Sequence, residues 1–314
     1  MKKAFLFPGQ GSQKIGMGKE LSDNFDIAKK VFEEVDEALE FKLSDLIWNG
    51  EIDKLTLTEN AQPAIMANSM AIWYTLKSEG YLIENNCVVA GHSLGEYSAL
   101  CAAGSLSLSQ TAKLLRLRGR AMQNAVKLEL GAMAAIIGLD FDQVSKVIEE
   151  AKKVEYCEIA NYNEPNQIVI SGFKKAILLS IEIAKKYGAK RCILLNVSAP
   201  FHCELMKPAA EIMKKELDDC KIAKPSCPII MNVDAKLHND KDNIKNNLYK
   251  QITDMVRWKE IIEKINSLNF QYSFEIGNGR TLSSFVRKIS PELKCEAISD
   301  IKNINAFFED KNYD

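Results

Sequence analysis

The sequence lacks the features that mark membrane proteins and nucleic-acid-binding proteins. Its 314 residues carry 41 Lys and Arg against 42 Asp and Glu, a formal net charge of -1. Nucleic-acid-binding proteins need a broad basic surface to displace counterions, and this balance excludes one. No apolar run approaches the roughly 20 residues of a membrane span. The run at residues 4–7 ends at Pro8-Gly9 and is too short for a signal peptide. We therefore expect no nucleic-acid or membrane partner and a cytoplasmic location.

Patterned cysteines are also missing. The chain has eight cysteines, but they are scattered, with no CxxC pair and no zinc-like spacing. We interpret them as reduced thiols and expect no metal site. Histidine is scarce, with three in the chain, which narrows the choice of a general base. No obvious apolar face is left over, so we expect a monomer.

What is present is an alternation of short apolar strands and longer helical stretches, which predicts an α/β fold with a mainly parallel sheet. Between about residues 131 and 197 the order becomes βαββαβ, typical of a ferredoxin-like unit. We expect a larger α/β-hydrolase-like domain, residues 1–128 and 198–314, with an inserted ferredoxin-like subdomain, residues 129–197, that walls one side of the site. Residues 244–257 are predicted to form one helix after this insertion.

Gly91-His92-Ser93-Leu94-Gly95 places a serine between two glycines, where an apolar strand meets a predicted helix. This is the layout of a nucleophile elbow, a strained turn that exposes its central hydroxyl at the edge of the sheet. The first N–H groups of the helix lie beside it and can stabilise an oxyanion. A glycine-rich turn with a capping serine is the alternative.

A serine nucleophile needs a general base, and histidine suits this role because its unperturbed pKa is about 6.5. His92 adjoins Ser93, and neighbouring side chains diverge in extended chain. His238 lies in a polar stretch that is typical of a surface loop. His202 follows an apolar strand through a short turn, where catalytic loops occur in open α/β sheets. We therefore predict His202 as the base, with a capping or buried histidine as the alternative.

Two further questions stay open from the residues alone. The group that orients the imidazole could be Asp234, which follows a predicted strand, or a backbone carbonyl. Cys203 is a rival nucleophile beside His202, but it has no elbow and no identifiable electropositive helix start.

Arg118 lies on the apolar side of the predicted helix over residues 109–127. A buried guanidinium costs several kcal/mol unless an anion compensates it. Either an internal Asp or Glu neutralises Arg118 or a ligand does. A substrate carboxylate bound through two hydrogen bonds is the functional interpretation.

These residues resemble the malonyl-CoA:acyl carrier protein transacylase family over nearly the full chain. The matching blocks occur in the family's order and are Phe7-Pro8-Gly9-Gln10-Gly11-Ser12-Gln13, residues 58–64 around Gln62-Pro63, Gly91 to Ala99, Arg118-Gly119 with Met122, Gly131 to Ala135, and Asn161 to Gly172. The resemblance implies an acyl-enzyme on Ser93, with His202 as base and the Gln10 and Leu94 N–H groups as oxyanion hole.

The resemblance also implies a role for further residues. The backbone carbonyl of Gln251 would orient His202, and Arg118 would hold the malonyl carboxylate. Phe201 precedes the histidine and would crowd an α-methyl group, which favours malonyl over methylmalonyl. Asn278 stands between two glycines where many relatives have proline. Pocket positions are also matched by Gln62, Met122, Asn161 and Asn163.

The implied activity is transfer of malonyl from malonyl-CoA to the phosphopantetheine thiol of acyl carrier protein for fatty-acid synthesis, with no cofactor. An acidic carrier protein needs local positive charge, and Lys185-Lys186 and Lys190-Arg191 are candidates for its docking site. Solvated surface lysines are the alternative. A serine hydrolase or thioesterase, or a non-enzymatic acyl-binding scaffold, are the competing functions.

Overall fold

The structure is a computed structural model that describes residues 1–81, 86–127, 129–197 and 199–309. Leu128 and Ser198, at the boundaries of the expected subdomain, lie outside the described residues.

The strands form a mainly parallel sheet and a separate antiparallel sheet. Their bounds are β1 Lys3–Phe7, β2 Cys87–Gly91, β3 Gly131–Ile137, β4 Cys157–Glu164, β5 Gln167–Phe173, β6 Arg191–Leu194, β7 Ile229–Ile230, β8 Leu237–His238, β9 Tyr272–Ile276 and β10 Lys294–Ile298. The first sheet has the order β10-β9-β1-β2-β7-β8, and its pairs are parallel except for β7 with β8. The second has the order β4-β5-β3-β6, with antiparallel pairs throughout.

Helices cover both faces of the parallel sheet and one face of the antiparallel sheet. Their bounds are α1 Lys19–Asn24, α2 Asp26–Leu39, α3 Leu43–Asn49, α4 Ile52–Thr56, α5 Thr58–Ser78, α6 Gly95–Ala102, α7 Leu108–Asn124, α8 Phe141–Ala151, α9 Lys174–Lys186, α10 Lys207–Asp219, α11 Lys241–Lys250, α12 Trp258–Ser267, α13 Thr281–Ile289 and α14 Ile301–Glu309, with a 3₁₀ turn at Glu204–Met206. Within the described ranges, no helix is both long and apolar enough to cross a membrane.

The apolar core consists of three clusters that follow these layers. Phe5, Phe7 and Trp73 belong to the largest, between one face of the parallel sheet and helices such as α2, α5 and α7. Residues of α12 and α13 pack on the opposite face with Leu6. The antiparallel sheet has a core of its own with α8 and α9. The mixed α/β architecture and the element order β3-α8-β4-β5-α9-β6 agree with the sequence pattern.

The single helix predicted over residues 244–257 is wrong. Helix α11 ends at Lys250, a turn follows, and α12 begins at Trp258. Ile244, Leu248, Ile252 and Val256 are all buried at a spacing of four residues, which imitates a continuous helix. Val256 instead exchanges backbone hydrogen bonds with strand β4, accepting from the Tyr162 N–H and donating to the Ala160 carbonyl, both at 2.9 Å.

The register of the parallel sheet positions the site. Phe7 at the end of β1 pairs with Gly91 at the end of β2. The loop after β1, which carries Gln10, and the turn after β2, which carries Ser93, therefore leave the same edge side by side. The His92 N–H donates to the Phe7 carbonyl at 2.9 Å and joins the two loops.

Candidate active site

Ser93 occupies a strained turn between β2 and α6. Its φ is 54°, in the left-handed region that few residues other than glycine adopt. The residues two positions before and after it must be glycines for steric reasons. A Cβ on Gly91 would lie 1.9 Å from the Gly95 carbonyl oxygen, and a Cβ on Gly95 would lie 2.2 Å from the Phe7 carbonyl oxygen. The chain therefore has the geometry of a nucleophile elbow here.

Ser93 and His202 form a hydrogen-bonded pair across 109 residues of sequence, with 2.7 Å between Ser93 Oγ and His202 Nε2. The other ring nitrogen, Nδ1, lies 2.7 Å from the Gln251 backbone carbonyl. A carbonyl can only accept, so Nδ1 carries the proton and Nε2 is free to accept from the serine. Asp234, the carboxylate alternative, lies 2.9 Å from His238 Nε2 instead.

The Gln251 carbonyl is available because α11 ends one residue earlier. In a continuing helix it would accept from the N–H four residues on, but at a helix end the last carbonyls have no helical partner. Thr253 and Asp254 stabilise the turn that follows, since Thr253 Oγ1 donates to the Lys250 carbonyl and to Asp254 Oδ1. The end of this helix thus supplies the group that holds the imidazole.

His202 is 3% exposed, and this burial sets its protonation state. Burial and, to a lesser extent, the nearby Arg118 cation lower the pKa of His202 to about 3, against a smaller opposite effect of the Gln251 carbonyl. The imidazole is therefore neutral at physiological pH and ready to accept a proton.

Arg118, on α7, is 1% exposed and points at the nucleophile. Its Nη1 donates to Gln62 Oε1 at 2.8 Å, and its Nη2 donates to Gln251 Oε1 at 2.8 Å and to Ser93 Oγ at 3.2 Å. Burial lowers its pKa. Among the described residues, no carboxylate oxygen lies within 4 Å of the guanidinium. The internal ion pair that was one alternative for Arg118 is therefore absent from this part of the chain.

The Gln10 and Leu94 N–H groups flank Ser93 on the two adjacent loops. Leu94 is the N-cap of α6. Within the described parts of the chain, neither N–H has a hydrogen-bond acceptor. Two unpaired donors beside a nucleophile can stabilise negative charge on an oxygen bound there.

Ser93 lies in a cavity of about 280 Å³ between the two sheets. Met133, Asn161 and residues 195–197 line it from the side of the antiparallel sheet. The remaining lining residues come from the larger part of the chain and are Gln10, Gly11, Gln13, Thr56, Gln62, His92, Ser93, Leu94, Arg118, Met122, Phe201 and His202.

The structure gives each of the weaker pocket candidates a defined place. Gln62 accepts from Arg118 and lies 3.9 Å from the Met122 sulfur through its Nε2. Asn161 and Phe201 line the cavity. Asn163 lies behind it, with its Oδ1 2.9 Å from His92 Nε2, and so positions that ring instead of facing the cavity.

The rival groups are occupied elsewhere. His92 is turned away from Ser93 Oγ toward Asn163. Cys203 is buried, its thiol donates to the Pro200 carbonyl at 3.1 Å, and burial raises its pKa to about 12, which disfavours the nucleophilic thiolate. The described residues contain no cluster of three or more His, Cys, Asp or Glu side chains that could hold a metal ion.

Sequence reasoning missed two residues behind the elbow. Asn232 accepts from the Ser93 N–H through Oδ1 at 2.8 Å and donates to the Gly91 carbonyl through Nδ2 at 2.7 Å. Glu96, in the first turn of α6, accepts from the Asn232 N–H at 2.6 Å. The available signal for Asn232 was its position just after a strand that neighbours β2, at the edge where sites occur in such sheets.

Comparison with known proteins places this geometry among acyl transferases. The family model for acyl transferase domains matches residues 4–277. The malonyl CoA-acyl carrier protein transacylase of Bacillus subtilis (strain 168) is 47% identical over 304 residues, covering 96% of this chain and 95% of that protein.

Solved structures agree. An acyl-carrier-protein-S-malonyltransferase from Bartonella henselae has a TM-score of 0.96 at 50% identity, covering 98% of both chains. A malonyl-transacylase in complex with a holo type II PKS acyl-carrier protein has a TM-score of 0.94 at 37% identity, also covering 98% of both chains.

Proposed function

We propose, because this chain belongs to the malonyl-CoA:acyl carrier protein transacylase family and is an acyltransferase, that it transfers malonyl from malonyl-CoA to the phosphopantetheine thiol of acyl carrier protein through an ester on Ser93. One observation carries the assignment of the site. The Ser93 hydroxyl lies within hydrogen-bond distance of both a neutral imidazole, 2.7 Å, and a buried guanidinium without a carboxylate partner, 3.2 Å.

In the first half of the reaction, His202 Nε2 takes the proton of Ser93 as Oγ attacks the thioester carbonyl of malonyl-CoA. The carbonyl oxygen becomes an oxyanion and receives hydrogen bonds from the Gln10 and Leu94 N–H groups. When the C–S bond breaks, the CoA sulfur takes the proton from His202 and leaves as the thiol. Malonyl then remains as an ester on Ser93.

In the second half, the phosphopantetheine thiol gives its proton to His202 and attacks the same carbonyl. The oxyanion forms again in the same hole, the C–O bond breaks, and Ser93 recovers its proton from His202. The malonyl group passes from one thiol to the other through Ser93 with His202 moving the protons, so the proposed reaction requires no cofactor.

Arg118 binds the free carboxylate of malonyl. Its Nη2 lies 3.2 Å from Ser93 Oγ, so the guanidinium adjoins the position that an acyl group on Ser93 would occupy. A guanidinium can bind a carboxylate through two parallel hydrogen bonds. Gln62 and Gln251 hold the two terminal nitrogens, and Met122, Asn161 and Phe201 complete the pocket, with Phe201 crowding an α-methyl group.

The acyl carrier protein docks on the basic end of the smaller part of the fold. Lys185, Lys186, Lys190 and Arg191 are all exposed at the junction of α9 and β6. Strand β6 leads directly to residues 195–197, which line the cavity. An acidic partner at this surface would lie one four-residue strand away from the cavity that its phosphopantetheine arm must reach.

We infer the finer architecture as an α/β-hydrolase-like domain, residues 1–128 and 198–314, with an inserted ferredoxin-like subdomain, residues 129–197. The βαββαβ order and the antiparallel strand order β4-β5-β3-β6 support the second assignment. Function in fatty-acid synthesis, a monomeric state and a cytoplasmic location stay predictions.

Intact-protein mass spectrometry after brief mixing with malonyl-CoA, followed by peptide mapping, tests the nucleophile. We expect one malonyl adduct, on Ser93, which is lost in Ser93→Ala and retained in Cys203→Ala. A malonyl adduct on any other residue contradicts the mechanism. Consumption of malonyl-CoA at equal rates with and without carrier protein identifies a hydrolase instead.

A charge-reversal pair tests the docking surface. Lys185→Glu/Lys186→Glu should raise the KM for carrier protein severalfold and leave the rate of Ser93 malonylation unchanged. Lys174→Glu/Lys175→Glu, two exposed lysines at the opposite end of the same helix, is the matched control. Equal effects of the two pairs would argue against this docking surface.

A further inference from the structure

Glu96 is a fully buried carboxyl group beside the elbow, and neither half of the proposed reaction uses it. It is 0% exposed, and it receives one short hydrogen bond on each oxygen. Oε1 accepts from the Asn232 backbone N–H and Oε2 accepts from the Gln251 side-chain Nε2, both at 2.6 Å. Among the described residues, no Lys, Arg or His nitrogen lies within 4 Å of it.

These contacts define the protonation state that the site accommodates. Burial raises the pKa of Glu96, the hydrogen bonds from Asn232 and Gln251 and the charge of Arg118 oppose this effect, and the balance is a pKa of about 8. Both hydrogen bonds come from N–H donors, so each carboxyl oxygen acts as an acceptor in this structure. Both contacts suit the ionised carboxylate, which accepts on both oxygens and predominates above about pH 8.

Gln251 is the residue through which Glu96 reaches the substrate site. Its Nε2 donates to Glu96 Oε2 at 2.6 Å and to the Ser93 backbone carbonyl at 2.8 Å. Its Oε1 consequently faces Arg118 Nη2 at 2.8 Å. A glutamine amide has nearly the same shape after a 180° rotation, so only the surrounding donors and acceptors decide which end faces Arg118.

We propose that Glu96 is a positioning residue that fixes the direction of the Gln251 amide and thereby holds Arg118 for an anionic acyl group. This inference rests on the proposed role of Arg118. Because an ionised carboxylate has no donor, Glu96, together with the Ser93 carbonyl, accepts only the NH₂ end of Gln251. The oxygen end is then always directed at the guanidinium, which it orients by a hydrogen bond.

Replacement of Glu96 by glutamine introduces a hydrogen-bond donor at this position with almost no change in shape. In Glu96→Gln, the new amide must direct its oxygen at the Asn232 backbone N–H, which cannot rotate. Its NH₂ group then faces the NH₂ group of Gln251. If Gln251 rotates to relieve this, its NH₂ group faces Arg118, so two donors are opposed there.

The readout is the ratio of kcat/KM for malonyl-CoA to that for acetyl-CoA, measured as acylation of Ser93 above pH 8, where Glu96 is ionised. We expect Glu96→Gln to lower this ratio about tenfold, the loss typical of one hydrogen bond to a charged group, mainly through a higher KM for malonyl-CoA. A purely structural role would lower both rates alike and leave the ratio unchanged.

The matched control is Glu275→Gln. Glu275 is also 0% exposed and accepts from the Leu282 and Ser283 N–H groups at the start of α13. This variant should lose stability, as measured by thermal unfolding, without any change in the ratio.

Gln251→Leu provides a second variant, which keeps the proposal testable if Glu96→Gln does not fold. It removes the amide but retains the backbone carbonyl that holds His202, and it should lower the ratio as much as Glu96→Gln. In the double variant, Glu96→Gln should add no further loss, since both changes act on one contact.

Three outcomes overturn the proposal: an unchanged ratio in Gln251→Leu, an unchanged ratio in folded Glu96→Gln, or independent, additive losses in the double variant. Arg118→Ala distinguishes a failure of the proposed role of Arg118 from a failure of the proposed role of Glu96. An unchanged ratio in Arg118→Ala contradicts the proposed function itself. A lower ratio in Arg118→Ala, with an unchanged ratio in Glu96→Gln and Gln251→Leu, contradicts only the role of Glu96.

Discussion

Arg118 Nη2 donates a hydrogen bond to Ser93 Oγ at 3.2 Å, so the group proposed to select the substrate also touches the group proposed to react with it. A cation at this distance favours negative charge on the serine oxygen. It also lowers the pKa of His202. Substitution of Arg118 should therefore affect both substrate choice and the pH dependence of acylation.

Arg118→Ala should lower kcat/KM for malonyl-CoA by about 100-fold, because hydrogen bonds to a charged group contribute about 1.5–3 kcal/mol each. Acetyl-CoA, which has no free carboxylate, should lose much less. Rates of Ser93 acylation with the two thioesters measure this. Arg120→Ala is the control, since Arg120 lies on the same helix in an exposed ion pair with Glu59. A malonyl preference that survives in Arg118→Ala would falsify the carboxylate site.

The kcat/KM for acylation should not fall in the pH range where a histidine of ordinary pKa becomes protonated. This fall at low pH is the acid limb of the pH profile. With a pKa of about 3, His202 stays neutral as the pH falls from about 7.5 to 5.5, so kcat/KM should change less than about twofold. A pKa near 6.5 would instead give a loss of about tenfold.

Removal of the Arg118 cation tests the direction in which this charge shifts the pKa of His202. Because this charge lowers the pKa of His202, Arg118→Ala should raise it and move the acid limb to higher pH. Profiles of acetyl-CoA acylation, in wild type and variant, allow the comparison without the malonyl carboxylate. A limb that does not move would show that burial alone sets the pKa.

The features predicted correctly from the sequence depend on residues that lie close together in the chain. Strand β2 and the elbow are defined by four apolar residues, Cys87 to Ala90, and two glycines, and the position of Arg118 follows from helical periodicity. The hydrogen bonds of Glu96 join residues 136 and 155 positions apart in the chain. No local pattern encodes such contacts, since they depend on which loops the sheet brings to one edge.

Gly119→Ala should disturb the packing of α7 on α5 that holds Arg118 in place. A Cβ at Gly119 would lie 2.6 Å from the Glu59 Cα and the Thr58 carbonyl oxygen, where α7 crosses the start of α5. Helix α5 also carries Gln62, which holds Arg118 Nη1. We expect about 1–3 kcal/mol of destabilisation from overpacking and a raised KM for malonyl-CoA.

Thermal unfolding and acylation kinetics check this prediction together. Gly104→Ala is the control, because Gly104, unlike the helical Gly119, has a positive φ, 74°, and an added Cβ meets nothing within 4 Å. It should cost stability through backbone strain alone and leave the KM unchanged. A normal KM in Gly119→Ala would show that the position of Arg118 does not depend on this helix crossing.

Asn278→Ala should slow acylation by malonyl-CoA and acetyl-CoA to the same extent. Asn278 Nδ2 donates to the Ser12 carbonyl at 2.7 Å and so ties the turn after β9 to the loop that carries Gln10. Loss of one such bond costs about 1 kcal/mol, so we expect kcat to fall about fivefold. The oxyanion hole serves every acyl group, so the malonyl-to-acetyl ratio should stay constant, in contrast to Arg118→Ala. Single-turnover acylation with both thioesters measures the rates and the ratio. Asn266→Ala, which removes an exposed side-chain contact with Glu292, is the control. A changed ratio with constant kcat would place Asn278 in substrate selection instead of in support of the Gln10 loop.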